Sequence, residues 1–273
     1  MAQLTKLHHT VPQFYLRGFA DENEKITTVA LPGTRRYTTL TKGTAATNHF
    51  YAIEGHPDGK DAFEKTLAEV EADAARVFRT VASGTWPLTP EDRATLACFI
   101  ALQSVRGPNQ RRNIGQIMSQ TTRVLAQFTP EEGAVAWAKE CLNRDVDEAE
   151  AVQLWNEAKG LSQPFDVPAE VHIDQMVTTM FEILPFILGR PWALLNFNRR
   201  RLITGDVPVS LVDNPSDGSA RGAGYLTAEA ITFPISRSQG LVMTDSLQLA
   251  EMGVPIEDVR EGGVSPVSRS GLL

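Results

Sequence analysis

Thirteen residues near the N-terminus, His8-His9-Thr10-Val11-Pro12-Gln13-Phe14-Tyr15-Leu16-Arg17-Gly18-Phe19-Ala20, hold two imidazoles, a guanidinium, a proline and three aromatic rings. Apolar and reactive groups are mixed there without a helical or strand period, which marks a site rather than a scaffold. His8 and His9 are neighbours, so an extended backbone sends their side chains to opposite faces and lets only one enter a given site easily. His9, next to the stiff Val11-Pro12 pair, is the one assigned. An imidazole there serves as a general base, a phosphate donor or a metal ligand, or it hydrogen-bonds to backbone at a strand end.

The next chemistry-bearing groups sit on two helical patterns. Between Asp61 and Ala82 the apolar residues Phe63, Leu67, Val70, Ala74, Val77, Phe78 and Val81 recur at helical spacing. Glu64 and Glu71 fall about 80–100° from the centre of that stripe, both on one flank. A second helix starts at Thr89-Pro90-Glu91-Asp92, with an N-cap, a proline in the first turn and acids behind it, and runs to about Val105. Leu96, Phe99 and Ile100 define its buried face, yet Gln103 lies inside that face and Arg106 lies beside Phe99. Buried polar groups need partners, and a guanidinium fork matches a carboxylate, so Glu64 or Glu71 is the expected partner of Arg106. The Glu–Arg–Gln group reads either as an internal clamp fixing helix register or as a cluster facing a ligand.

Asp206, in Leu202-Ile203-Thr204-Gly205-Asp206-Val207-Pro208, stands at the end of an extended stretch as a candidate catalytic or metal-binding carboxylate, or as an ordinary turn residue. His172 shares a helix face with Met176, Thr179 and Ile183, the position of a core-edge histidine. No phosphate loop, Gly-x-Gly-x-x-Gly, Gly-x-Ser-x-Gly or His-Glu-x-x-His motif is present, so no nucleotide cofactor, common serine hydrolase or helix-based zinc protease is indicated.

The elements that must position these groups follow from punctuation and period. Residues 25–31 and 36–41 are β-branched and flank Pro32-Gly33, predicting a β-hairpin. Helices are predicted at 61–82, 90–105, 111–128, 130–142, 146–159 and 168–188, the last kinked at Pro185. Short strands are predicted at 192–197, 201–204, 231–234 and 240–244. The fold class is therefore α+β: a predominantly helical core with an N-terminal hairpin and C-terminal short strands, the terminal segments sharing one small sheet. A single domain is expected over 1–262, with a mobile turn-rich loop at 213–223 and a frayed tail at 263–273.

Composition narrows the partners. At 273 residues and 42% hydrophobic the chain can bury a substantial core. A net charge of −7 gives no general attraction to nucleic acid or anionic lipid. The small clusters Arg111-Arg112 and Arg199-Arg200-Arg201 are too local to read nucleic acid. Two cysteines, Cys98 and Cys141, and an N-terminus without a signal-peptide pattern point to the cytoplasm. The apolar stretch Met176–Leu188 is too short and too polar to span a bilayer. The sequence leaves the oligomeric state open.

His9-x-Val11-Pro12-x-Phe14-Tyr15-Leu16-Arg17-x-Phe19 resembles the opening signature of the domain of unknown function 4238 family. Asn48-His49-Phe50-Tyr51, Glu64 and Glu71, Phe99 through Gln103 with Arg106, Asp206-x-Pro208-Val209 and Phe233-Pro234 are similar to its later blocks in the same order, over residues 6 to 245. Gly205 stands where the family pattern has a serine before the aspartate. The resemblance implies which residues cluster: His9, Arg17, Glu64, Glu71, Gln103, Arg106 and Asp206.

If they converge, the mixture suits metal-assisted or general acid–base hydrolysis of an anionic substrate, a small molecule or phosphodiester. His9, Glu64, Glu71 and Asp206 would be catalytic, and Arg17, Gln103, Arg106 and Tyr15 would bind substrate. A divalent ion, Mg²⁺ or Mn²⁺, would sit on His9, Glu71 and Asp206. The alternatives are a binding module, in which the arginines with Phe14, Tyr15 and Tyr51 recognise a small anion or peptide, and a biosynthetic transferase or ligase.

Overall fold

The computed structural model describes residues 7–199, 201–213, 222–245 and 267–268. It is α+β, and its chain divides into two compact units, Met1–Gly107 with Ile173–Leu273, and Pro108–His172.

Unit 1 opens with β1 (Leu7–His9) and α1 (Gln13–Arg17), the latter starting directly after Pro12, whose fixed φ suits a helix entrance. The hairpin β2 (Lys25–Ala30) and β3 (Arg35–Leu40) follows, turning at Pro32-Gly33 as predicted. β4 (Ala46–Asn48) pairs antiparallel with β1, with His8 opposite Thr47. α2 (Ala62–Ala82) and α3 (Pro90–Val105) come next. The α3 entrance is capped by Thr89, whose hydroxyl accepts from the Asp92 amide at 3.2 Å. Leu67, Ala74, Val77 and Val81 form the buried edge of α2, and Leu96, Phe99 and Ile100 that of α3, on the faces the period predicts.

Unit 2 contains α4 (Pro108–Phe128), α5 (Ala134–Leu142) and α6 (Glu148–Lys159). α4 begins at Pro108, three residues earlier than the pattern at Arg111 suggests, because proline is at home in a first turn. Asn143 closes α5 in the left-handed region with φ of 52°, and Asp147 caps α6 by accepting from the Glu150 amide at 2.8 Å. Ala126, Ala134, Ala138, Ala151 and Ala158 surround Trp137 and Trp155 as the core of this unit.

α7 (Ala169–Leu188) carries the chain back to unit 1 and stays helical through Pro185. It is 20 residues long and holds an 18-residue window of mean hydropathy 1.2, so length and composition alone would permit a membrane crossing; it is longer than the 176–188 run because the polar turn at its start is also helical. Met176, Met180, Ile183 and Ile187 are buried in unit 1.

The C-terminal sheet has the order β6 (Ser210–Val212), β7 (Ala230–Pro234), β8 (Gln239–Thr244), β5 (Trp192–Asn196) and β9 (Val267–Ser268). Its ladders are antiparallel except β5 with β9, where Leu195 pairs with Val267. The N-terminal strands form two separate two-stranded sheets rather than joining it. The strand predicted at 201–204 is irregular: Leu202 makes one backbone bond to Arg237, and Thr204 is held through its side chain instead of a ladder. Of the expected tail at 263–273, only Val267–Ser268 lies among the described residues, as β9; most of the expected loop at 213–223 lies outside them.

The core of unit 1 is a nest of rings. Tyr15 lies 5.3 Å from Phe233, Phe14 5.4 Å from Phe99, and Phe78 5.6 Å from Phe99, joining α1, α2, α3 and β7. Tyr15 donates to the Pro234 carbonyl at 2.8 Å and meets Thr204 at 2.8 Å. Gly18 follows α1 where the chain comes against the sheet: a Cβ there would stand 3.1 Å from the Ile235 carbonyl, and the Arg237 amide donates to Gly18 at 3.1 Å.

Candidate active site around Arg106

Arg106 ends α3 with its side chain 1% exposed, so its charge must be answered inside the protein. One Nη donates to Glu71 Oε1 at 2.9 Å and the other to the His9 carbonyl at 2.6 Å. Nε reaches the Tyr51 hydroxyl at 3.4 Å, and that hydroxyl donates back to the Arg106 carbonyl at 3.0 Å. The Arg106 guanidinium also lies 5.8 Å from the centre of the Tyr51 ring. Arg106 thus ties α2, β1 and the segment after β4 to the end of α3. Of the two carboxylates that could have paired with it, Glu71 is the one that does.

The two histidines separate as strand alternation requires. His8 is buried, stacked on Tyr51 with ring centres 6.0 Å apart, and its Nδ1 accepts the Tyr51 amide at 3.0 Å. His9 is half-buried and its Nε2 lies 3.1 Å from the Lys42 carbonyl. A carbonyl can only accept, so Nε2 carries the proton in the neutral ring and Nδ1 keeps a lone pair. Burial lowers the His9 pKa, and the nearby Arg106 charge acts in the same direction against the opposing pull of Lys42 and Glu71.

Glu64 lies seven residues before Glu71, roughly two turns along the same flank of α2. Its carboxyl is half-buried, and Oε2 is enclosed with no hydrogen-bond partner among the described residues. Burial raises its pKa to about 7, with the Glu71 charge adding to the rise and Arg106 opposing it. Gln103, one turn before Arg106, is 2% exposed and neither of its amide atoms has a partner among the described residues, so it stands apart from the Glu71–Arg106 pair.

The remaining sequence-predicted residues lie elsewhere. Arg17 is on the surface and pairs with Glu24 at 3.1 Å. Tyr15 is buried, with its hydroxyl spent on Thr204 and Pro234, and burial pushes its pKa well up. Asp206 is exposed on a segment whose backbone passes the end of α3, its carbonyl 3.7 Å from where a Cβ on Gly107 would stand. Among the described residues no three His, Cys, Asp or Glu side chains are grouped to hold a metal ion.

Two contributors escaped the sequence reading. His8 fixes Tyr51 from behind, and the Lys42 carbonyl sets the His9 tautomer. The alternation of adjacent residues on β1 was the available signal for His8; the Lys42 contact, a main-chain group 33 positions away, had none.

Residues 7–253 match the family described as Protein of unknown function (DUF4238), and the chain belongs to it. No curated protein and no solved structure matches the chain.

Proposed function

We propose that this chain is a hydrolase acting on an anionic ester, phosphodiesters foremost, by general acid–base catalysis with Glu64 as the acid and His9 as the base. The observation that carries the reading is the contrast between two carboxyls on one helix flank: Glu71 is spent on buried Arg106, whereas Glu64 stays half-buried and, among the described residues, unpaired at Oε2. A carboxyl that titrates near 7 keeps a proton to give to a leaving oxygen at neutral pH. His9, neutral and with Nδ1 free of protons, takes the proton of the attacking water. Arg106 contributes positive potential from beneath while holding the His9 backbone in place.

The acid–base form is preferred to the metal-assisted form because the expected ligand Glu71 is engaged by Arg106 at 2.9 Å and Asp206 is exposed on another segment. The same reading places the protein in the reducing cytoplasm, where Cys98 and Cys141 remain thiols.

The test is hydrolysis of bis(p-nitrophenyl) phosphate and related anionic esters by wild type, Glu64→Gln and His9→Gln. Each variant should lose roughly 10²–10⁴-fold in kcat with little change in far-UV circular dichroism. The wild-type pH profile should be a bell whose alkaline limb disappears in Glu64→Gln. Full turnover in Glu64→Gln would sink the assignment, and ligand binding without any turnover would establish a binding module instead.

A further inference from the structure

From Lys25 to Ile53 the chain contains no Asp or Glu, in a protein that carries 33 of them and a net charge of −7. Lys25, Arg35, Arg36 and Lys42 fall in that stretch, all four are exposed, and none forms an ion pair among the described residues. Of the acids just before it, Glu24 pairs with Arg17 and Asp21 accepts the Asn23 and Lys25 amides.

These cations belong to the β2–β3 hairpin and its exit. The root of the hairpin is fastened to the body: Ile26 packs on the core of unit 1, the Gln13 amide donates to the buried Thr41 hydroxyl at 3.4 Å, and His9 donates to the Lys42 carbonyl. Beyond the root every residue from Val29 to Thr38 is exposed, with Leu31 at 93% and Tyr37 at 44%. β2 and β3 form a sheet of two strands only, an arrangement that is marginal without support. Its neighbouring arginines point to opposite faces. Arg36 lies opposite Val29 on the face of Lys25 and of the bonded pair Thr27 and Thr38, and Arg35 shares the other face with Thr28 and Tyr37, its guanidinium 5.5 Å from the centre of that ring.

Unpaired cations and hydroxyls on both faces, beside an exposed ring, suit a ligand with repeated phosphates and flat bases: Lys, Arg and Thr meet the backbone, and Tyr37 offers a stacking platform. An acidic peptide carries charge but no phosphodiester for the site at the root. A lipid surface would be reached by Leu31 at the tip, which stands roughly 20 Å along the ribbon from the Lys42 end where His9 is held. We infer that the β2–β3 hairpin is a binding surface for single-stranded nucleic acid, whose backbone runs along it towards His9 and Glu64. This names the substrate class of the hydrolase proposed above and rests on that reading.

Fluorescence anisotropy of a labelled single strand of about 16 nucleotides, titrated with the full chain, tests this. The wild type should bind with a dissociation constant of roughly 1–100 µM and a log–log salt slope of about −3, at about 0.7 for each of four cations. Arg35→Glu with Arg36→Glu, its fold checked by circular dichroism, should weaken binding by roughly tenfold or more and leave bis(p-nitrophenyl) phosphate hydrolysis unchanged. Tyr37→Ala should weaken binding roughly tenfold with the salt slope kept, and Glu64→Gln should bind as wild type does. A wild type that leaves the strand unbound, an Arg35→Glu, Arg36→Glu variant that binds it as tightly as wild type, or binding to phosphatidylserine vesicles alone would overturn the proposal, whether or not the ester is hydrolysed. A strand held through the hairpin by a protein that hydrolyses neither it nor the ester would uphold the surface and overturn the hydrolase reading.

Discussion

Unit 1 closes its core with aromatic rings drawn from α1, α2, α3 and β7, whereas unit 2 closes its own with alanines packed around Trp137 and Trp155. Interlocking rings tolerate few arrangements, so they fix where α2 and α3 lie, and with them Glu64, Glu71 and Arg106. Alanines and glycine let helices approach closely but ask little of the outer surface, which leaves α4 free to turn its large residues outward. The proposed acid and base and the outward apolar stripe are thereby divided: Glu64 and His9 are in unit 1, and the exposed Ile117, Val124 and Phe128 of α4 are in unit 2.

The contrast can be broken most forcefully from the buried ion pair. Glu71→Ala strands Arg106 without its carboxylate and should cost about 3–5 kcal/mol in urea unfolding. A loss below about 1 kcal/mol would show that Arg106 finds another partner. In unit 2, Trp155→Ala empties the centre of the alanine core and removes a 2.8 Å bond to the Ala126 carbonyl, at a cost of about 3 kcal/mol. Hydrogen exchange should report that loss in α4–α6 and leave α2 and α3 protected; equal deprotection of α2 would erase the distinction between the units. Gly115→Ala, also in unit 2, should cost about 1–3 kcal/mol because the added Cβ would collide with the Phe165 carbonyl, a backbone group that no rotamer moves.

Two smaller changes sharpen the site itself. The Glu64 pKa is raised from 4.5 to about 7 on folding, so the native state binds the extra proton between those values. Its contribution to stability is complete below about 4.5 and is lost as pH rises through about 7. Glu64→Gln should therefore change little at low pH but stabilise the protein by about 1–2 kcal/mol at pH 8, allowing for solvent screening. A pH-independent difference between the two proteins would refute the shift. Gln103→Leu, which removes a buried amide with no partner among the described residues, should stabilise by about 1 kcal/mol in the same urea assay.

Much of this was legible before any coordinates. Helix geometry placed Arg106 on the buried side of α3 and the two glutamates on one flank of α2, and charge burial called for one of them, Glu64 or Glu71, as its partner; the structure makes it Glu71. The hairpin, the α3 cap and the α+β class came from turn residues and period. What was not legible depended on main-chain atoms distant in sequence. The His9 carbonyl is an acceptor for Arg106 and the Lys42 carbonyl orients the His9 ring, and no side-chain pattern announces a carbonyl. Gln103 has the helical position of a clamp member but no partner among the described residues, because facing the interior does not guarantee reaching a donor. The segment 201–204 carries strand-forming residues yet lacks a ladder, since Thr204 and Leu202 are engaged one at a time. β4 and β6 went unseen because three residues are too few to show alternation.

The bonds that secure the N-terminal segment also set a timetable. His9 is held by Arg106, 97 positions later, and Tyr15 by Thr204 and Pro234, 189 and 219 positions later. At a synthesis rate of about 5–20 residues per second, this segment is made on the order of ten seconds or more before its last anchors. The helix that follows the proposed base is made long before its anchors, so a product stalled before Thr204 would contain His9 and Arg106 but would leave Tyr15 without the Thr204 and Pro234 bonds that seat this segment.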